Sequence, residues 1–546
     1  MCKKRIMAFA MAMAMTAVSL VGCGSSAEPS KDDAAAATSQ GDTTETKTDD
    51  GSASADNNTA GGGSYEVATV RWADWGEDYH IGFPDEAAKE TGININWDTI
   101  LNADWADRKA VLLAGGDLPD AFMGSICFSE TDILTNVGTF IALDDYIDEY
   151  MPNFKKIMES DPTMKALATS ADGHIYGLPS KKPCRPIVGN QLFINKTWLD
   201  NLGLDMPTTY DEFVDVLRAF KEQDANGNGD PNDEIPYGLG NADSVMFYCL
   251  PFGVRLGGEN TYTMTLDDGN PVFIPVSEEY KTGIAAMHEA YAEGLIDPEL
   301  FTEDTSMRDA KLMSETPIIG CAPGWTADAT FGANADQYEA LPALKGPDGK
   351  QYIASDPEHY NYTRYEFVVT SSCENPGELL SWVDKFYTED ASIQNFYGAF
   401  DIGVEKDEAA GTYTVLEPKD GMSADTYAWV NSLRDFGPKY VGEGFNDKVT
   451  YAGENGDAAK LELDKSMKQH AMEAYPNVSY SAEQVETLGT LFSDITSYVG
   501  VNQAAWVTEG GIEEQWDSYI DTLNQMGYED FIQIQTDAYN TYKSNQ

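Results

Sequence analysis

Asp224, Asn226, Asn228 and Asp230 alternate with Ala225, Gly227 and Gly229, and Asp233 and Glu234 follow. Oxygen-bearing side chains at every second position, with glycines between, let a chain wrap a hard cation. An EF-hand loop counted from Asp224 would place a bidentate Glu at its twelfth position. Ile235 stands there, and Glu234 comes one residue early. The competing reading is an Asx-rich turn exposed to water. The expectation is a structural Ca2+ held by Asp224, Asn226, Asn228, Asp230, Asp233 and Glu234. Such an ion would set the geometry of the preceding helix end and would not touch a substrate.

The elements that must position this loop are legible on either side of it. Leu192-Phe193-Ile194 is a short apolar strand. Asn195 is placed to cap a helix carrying Trp198, Leu199 and Leu202, and Gly203 sits where a left-handed C-cap belongs. Pro207 precedes a second start signal, in which Thr208 with Asp211 or Thr209 with Glu212 fits a capping box. Phe213, Val216, Leu217 and Phe220 then recur at helical spacing and define one apolar face. Asp211 and Glu212 near its start and Lys221 near its end suit the helix dipole.

Catalytic patterns are wanting elsewhere. No G-x-S-x-G, H-E-x-x-H, Walker loop or G-x-G-x-x-G occurs in the required setting, and the 5 histidines are dispersed. A chain with 91 Asp and Glu always offers carboxylate pairs, but none has a recognisable context for glycan hydrolysis. Repeats or β-rich modules that would mark an adhesin are not seen. Cys127, Cys184, Cys249, Cys321 and Cys373 are widely spaced, without a C-x-x-C pair. Their odd number argues against a disulfide framework, and buried free thiols are expected.

Met1 to Gly22 reads as a targeting segment: Lys3, Lys4 and Arg5, then an apolar run too short to span a bilayer. It ends Leu20-Val21-Gly22-Cys23, which resembles a bacterial lipobox. That resemblance implies cleavage before Cys23 and lipidation of its thiol, with palmitate, so that the chain is anchored without spanning. Residues 23–64 are rich in Ser, Ala, Asp, Thr and Gly and read as a disordered tether. Loss of the three basic residues takes the net charge from −56 to −59. That surface disfavours nucleic acid and anionic lipid as partners.

From Tyr65 the composition is globular and long enough for two lobes. Glu66–Trp75 reads as a strand and loop, a helix runs to about Glu90, and Ile93–Trp97 alternates like a second strand. This β-α-β opening favours an α/β fold. A helix near Asp104–Ala114, a short strand at Pro119–Met123, a helix at Tyr280–Gly294, a strand at Pro317–Cys321 and another at Phe367–Thr370 follow. Pro376 opens a helix with Leu379, Leu380, Val383 and Phe386 on one face. Ile512, Trp516, Ile520 and Leu523 mark the first of the C-terminal helices, and Gly527 stops it.

The stretch Leu192–Pro236 resembles the extracellular solute-binding lipoproteins of ABC importers, in the large carbohydrate-binding branch that includes alginate-oligosaccharide binders. Phe193–Lys196, Trp198–Leu204, Pro207–Phe213, Asp224–Gly229 and Asp233–Pro236 carry the likeness. It implies a two-lobe type II periplasmic-binding-protein fold, with a hinge and a cleft between the lobes. Lobe 1 is expected to hold 65–185 and about 363–455, and lobe 2 to hold 186–362 and about 456–546. It further implies a monomeric binder of a carbohydrate, most simply an oligosaccharide, delivered to ABC permease subunits by lobe closure, and no enzyme. Peptide or another small polar solute is the alternative cargo, and a surface glycan-active enzyme the more distant one.

Open α/β sheets take ligands beyond the carboxyl ends of their strands. Loops after the strands therefore nominate Asp74, Trp75, Ser125, Phe128 and Trp325, and the approach to the crossing strand adds Tyr362 and Arg364. Tyr397 follows the Pro376 helix. Flat aromatics suit the C–H faces of sugars, and charged or amide groups suit their hydroxyls. Trp72, inside the first strand, and Trp198 and Trp382, on helix faces, are expected in the core. No cluster of Arg and Lys is evident along the chain.

Overall fold

The structure is a computed structural model and describes residues 62–546 except 137, 241, 257–262, 420 and 454. The targeting segment 1–22, Cys23 and the tether up to residue 61 lie outside the described residues. The tether reading ends earlier than expected. Gly63 O accepts from Asn94 N at 3.0 Å, and Ser64 opens the first strand.

Two sheets organise the molecule. The first has five strands in the order Asn94–Leu101, Ser64–Arg71, Ala121–Met123, Tyr362–Val369 and Gly177–Lys181. Its first two junctions are parallel, and Tyr362–Val369 runs antiparallel to both its neighbours. Val67 faces one apolar cluster while Ala68 and Val70 face another. Burial of both faces is what a near-continuous apolar strand predicts. The second sheet has the order Tyr338–Ala340, Gln191–Asn195, Ile319–Gly324 and Ile235–Tyr237. Smaller sheets occupy Val404–Asp407, Thr412–Val415 and Val449–Tyr451, and the hairpin Met264–Phe273.

The stretch around the second sheet folds as its residues dictate. Asn195 Oδ1 accepts from Trp198 N at 3.1 Å, and Gly203 closes the helix Lys196–Leu202 at φ 69°. Of the two possible capping boxes, Thr209 with Glu212 forms, at 3.2 Å in each direction. Thr208 instead donates to Glu212 from both its amide and its hydroxyl. Phe213, Val216, Leu217 and Phe220 of the helix Tyr210–Glu222 are all buried. Each such side chain contributes about 1.5–3 kcal/mol on leaving water.

One large core gathers side chains between Leu192 and Ala354 and again between Tyr475 and Tyr542. A second gathers them between Tyr65 and Leu178 and between Phe367 and Leu433. The chain passes between the two sheets from Lys181 to Gln191 and from Ala340 to Tyr362. A third passage follows the strand Val449–Tyr451. The C-terminal helices are Ala482–Glu509, Ile512–Gln525 and Tyr528–Asn545. The first of these, 28 residues long, precedes the helix that Ile512 was expected to open. Among the described residues, no helix is long and apolar enough to cross a membrane. Cys127, Cys184, Cys249, Cys321 and Cys373 are free and buried.

Candidate ligand cavity between the sheets

A cavity of about 450 Å³ opens where the crossing segments meet. Four stretches line it: Ser125 and Glu130 beyond the strand Ala121–Met123, Lys182 and Arg185 beyond Gly177–Lys181, the run His359–Tyr365, and Asn477. This is the carboxyl end of two strands of the first sheet, where α/β folds place ligands.

Strained backbone aims the charged groups here. Cys184, Tyr365 and Arg434 hold φ of 57°, 53° and 50°. These values are unfavourable for residues other than glycine and persist where surrounding structure over-determines them. Each stands next to a charged residue of the site: Arg185, Arg364 and Asp435. At Tyr365 the strand is also irregular, its register shifting between Thr363 and Phe367.

Ion pairs tie the cavity wall to the layer beneath. Lys182 Nζ and Arg185 Nη2 lie 3.6 and 3.3 Å from Asp435 Oδ1, and Arg185 Nη1 lies 3.4 Å from Asp457 Oδ1. Arg434 Nη2 donates to Asp457 Oδ2 at 2.9 Å, its guanidinium 4.1 Å from the Phe396 ring. Burial alone would raise the Asp435 carboxyl. Lys182, Arg185, Arg434 and Lys439 outweigh that and hold it well below the usual carboxylate range. Deeper still, Glu366 accepts from Ser125 N at 3.2 Å and faces Lys439 with both side chains fully buried. Burial raises Glu366 and lowers Lys439, each opposed by the other's charge.

Glu130 joins distant segments. It accepts from Ser479 Oγ and, at 3.0 Å, from Tyr480 N, with Arg364 Nη1 4.0 Å away. Arg364 Nη2 donates to Asn477 O at 2.7 Å. Burial pushes the Glu130 carboxyl up, against the pull of Arg364.

Aromatic rings stand beside the cavity. Trp325 meets Tyr360 edge-on at 5.5 Å, backed by the Lys460 ammonium 4.5 Å from its centroid. Lys460 also donates to Trp325 O at 2.8 Å and to Gly189 O. Burial lowers its pKa to about 7. Gly189 is required there, because a Cβ would lie 2.0 Å from the Tyr360 hydroxyl. Outside the cavity lining, Trp75 stacks on Trp429 at 4.6 Å and 18°. Buried Arg71 donates to the carbonyls of Trp429 and Ser432 and lies 4.3 Å over Tyr79.

The nominated residues fall in several places. Ser125, Tyr362 and Arg364 share the cavity wall, and Trp325 lies one ring away through Tyr360. Trp75 is half-buried in its stack, and Asp74 is exposed, accepting from Gly76 N at 3.2 Å. Phe128 turns inward and packs on Trp105, Phe122 and Phe140 at 5.5, 4.8 and 4.8 Å. Tyr397 is buried behind the cavity, its hydroxyl donating to Asp457 at 2.8 Å. Trp198 and Trp382 are core, as expected. Trp72 is not: the strand ends at Arg71, and the ring is 51% exposed.

Lys182, Arg185, Glu130, Asp435 and Trp429 were not foreseen. Lys182 and Arg185 had a signal, the basic run Lys181-Lys182-Pro183-Cys184-Arg185 directly after a strand. Trp429 had none, since only packing brings it to Trp75.

The loop Asp224–Glu234 lies apart from the cavity. Asp224 Oδ2 accepts from Gly229 N at 2.9 Å, and Glu234 Oε1 turns back to accept from Ala225 N at 2.9 Å. Gly227 and Gly229 supply φ of 74° and 94°. Buried Asp224 Oδ1 and Glu234 Oε2 have no hydrogen-bond partner, as oxygens reserved for a cation would. The donor set, carboxylates and amide oxygens, suits Ca2+. Among the described residues, no three His, Cys, Asp or Glu groups stand close enough to hold a metal by themselves. The amides of Asn226 and Asn228 would therefore have to take part.

Comparison with known proteins assigns this architecture. A fructooligosaccharide ABC transporter substrate-binding protein, FusA of Streptococcus pneumoniae serotype 4, is 32% identical over 479 residues, covering 84% of this chain and 86% of its own. A solved HMO-binding, ABC-transporter-associated solute-binding protein of Bifidobacterium longum infantis superposes with a TM-score of 0.76 at 28% identity, over 88% of this chain and 99% of that one. FusA, solved as an EF-hand mutant in complex with fructo-nystose, superposes at 0.71 and 28% identity, over 88% and 100%. These neighbours have the two-lobe α/β fold and are binding components of transporters. With residues 72–393 matching the profile of the bacterial extracellular solute-binding proteins, the chain belongs to that family.

Proposed function

We propose that this protein is the substrate-binding component of an ABC importer that captures an oligosaccharide outside the cell and hands it to the permease. The observation that carries the reading is the cavity where the crossing segments meet. Ser125, Tyr362 and Arg364 stand there with Lys182 and Arg185, beside the Trp325–Tyr360 edge. Paired hydrogen-bonding groups next to flat rings are what a polyol with apolar C–H faces requires. The relatives named for fructooligosaccharide and HMO binding support this cargo class.

In this reading residues 65–185 with about 363–455 form one lobe, and 186–362 with about 456–546 the other. Sugar contacts from both would exist only in the closed state, so ligand shifts the population toward closure. The permease subunits read that closed surface. The chain works as a monomer, binds without catalysis, and is held at the outer face of the membrane by a lipid on Cys23. A structural Ca2+ at Asp224, Asn226, Asn228, Asp230, Asp233 and Glu234 is supported by the orphaned oxygens and by the EF-hand of FusA.

The test is a thermal-shift and calorimetric screen of the protein truncated before Cys23 against neutral and acidic oligosaccharides and peptides. The expected result is saturable stabilisation by one glycan that is recovered intact, since a ligand at about 100 times its Kd stabilises by about 2.7 kcal/mol. Stabilisation by peptides alone, or cleavage of the glycan, would overturn the reading. Chelation is expected to lower the Tm and Ca2+ to restore it.

A further inference from the structure

The charges around the cavity say which glycans it takes. Its lining carries Lys182, Arg185, His359 and Arg364 as basic groups among the described residues. Lys182 and Arg185 both face Asp435, and Arg185 also reaches Asp457. His359 Nδ1 lies 2.7 Å from Asp356 Oδ1, and Arg364 lies 4.0 Å from Glu130. Arg434, in the layer beneath, is matched by Asp457, and buried Lys439 donates to Phe436 O and Gly437 O, with the Glu366 charge acting on it through space.

Each basic group that lines the cavity is therefore already matched by a carboxylate. A uronate or sialate entering the cavity would have to displace one of those carboxylates or lie against it. Removing a partner from a buried pair leaves an uncompensated charge in a poorly solvated place, which is costly. The field of the whole chain, at a formal −56, opposes an anion further. A neutral sugar meets no such penalty. The lining still offers hydroxyl and amide groups, from Ser125, Tyr362, Thr363 and Asn477, beside the paired guanidinium groups of Arg185 and Arg364. Glu130, the one carboxylate in that lining among the described residues, is an acceptor beside them.

We infer that the cavity selects neutral oligosaccharides and excludes acidic ones, with Asp435 as the residue that sets this preference by neutralising Lys182 and Arg185. The inference rests on the reading of the protein as an oligosaccharide binder and adds the charge class of its cargo.

The experiment titrates the wild-type protein with a panel of neutral tri- and tetrasaccharides, fructose-based ones included, and with oligogalacturonates of the same lengths, at low and high salt. A neutral glycan is expected to bind at least about ten-fold more tightly than any oligogalacturonate, because specificity here is a difference of two affinities. Its affinity should stay flat with salt, since no net charge is exchanged. Asp435→Asn should then gain affinity for the oligogalacturonate, with the gain falling as salt rises. Glu130→Gln, which releases Arg364, provides a second variant should the first fail to fold. Oligogalacturonate binding to the wild type as tightly as the neutral glycan overturns the inference and leaves the oligosaccharide reading standing. Binding of neither glycan class overturns both.

Discussion

The stretch Leu192–Pro236 and the cavity between the sheets are held together over very different chain distances. In the stretch, Asn195 caps onto Trp198 and Thr209 onto Glu212, each three residues on, and Glu234 closes onto Ala225 nine residues back. At the cavity, Ser125 meets Glu366 across 241 residues, Arg185 meets Asp435 across 250, and Glu130 meets Tyr480 across 350. The first region is specified by its own residues and packs a helix face onto a sheet. The second exists only once both sheets and the C-terminal segment are in place. The difference teaches that lesions in the stretch should alter stability while sparing the geometry of the site. Lesions in the cavity's charge layer should damage both.

The sharpest way to break the comparison is Arg434→Ala. It strips Asp457 of a buried partner at 2.9 Å and removes the group packed on Phe396. A loss of about 3–5 kcal/mol is expected in denaturant unfolding, together with weakened glycan binding by whatever remains folded. Full stability with intact binding would show that the layer beneath the cavity does not hold it up.

A smaller effect is expected from acid. The folded Asp435 carboxyl lies below its unfolded value, so its contribution is fully present above about pH 4 and is lost as pH falls further toward the folded value. The gap in Tm between wild type and Asp435→Asn should therefore narrow below about pH 4. A gap that stays constant from neutral pH to pH 3 would mean that Asp435 is not held down by Lys182 and Arg185.

The smallest effect belongs to the local region. Thr209→Ala removes one cap and should cost about 1 kcal/mol with no change in glycan affinity. A drop in affinity as large as that of a cavity variant would show that the stretch and the site are coupled through the second sheet.

Particular residues show what could be read beforehand. The caps at Asn195 and Thr209, the glycine stop at Gly203 and the apolar face from Phe213 to Phe220 were legible because each depends on neighbours within one or two turns. The helix Ala482–Glu509 was missed although Leu488, Ile495, Val499 and Trp506 lie on one helix face, because they are sparse along a long run with small and polar residues between them. Trp72 was misplaced because the strand, buried on both faces, ends at Arg71 and the ring falls just beyond it. Ser125 was nominated by the rule that ligands sit beyond strand ends, Tyr362 and Arg364 by the approach to the crossing strand, and the three share a wall. The strand-end rule also nominated Phe128, which instead entered the aromatic core, while Tyr397, nominated after the Pro376 helix, is buried against Asp457. Position after a strand does not determine the direction of a side chain.

From its residues alone the chain showed a basic and apolar run before Cys23, a polar low-complexity segment after it, an α/β pattern, a capped helical stretch and a loop of oxygen donors. All of these rest on local propensity, periodicity and spacing. Only the tertiary structure decided that Lys182, Arg185, Arg364, Arg434 and Lys439 gather in one region, and that Glu130, Asp435 and Asp457 pair with four of them. Electrostatic pairing acts through space and leaves no periodic trace in a sequence, so the charge of the cavity could not be read until the fold had assembled it.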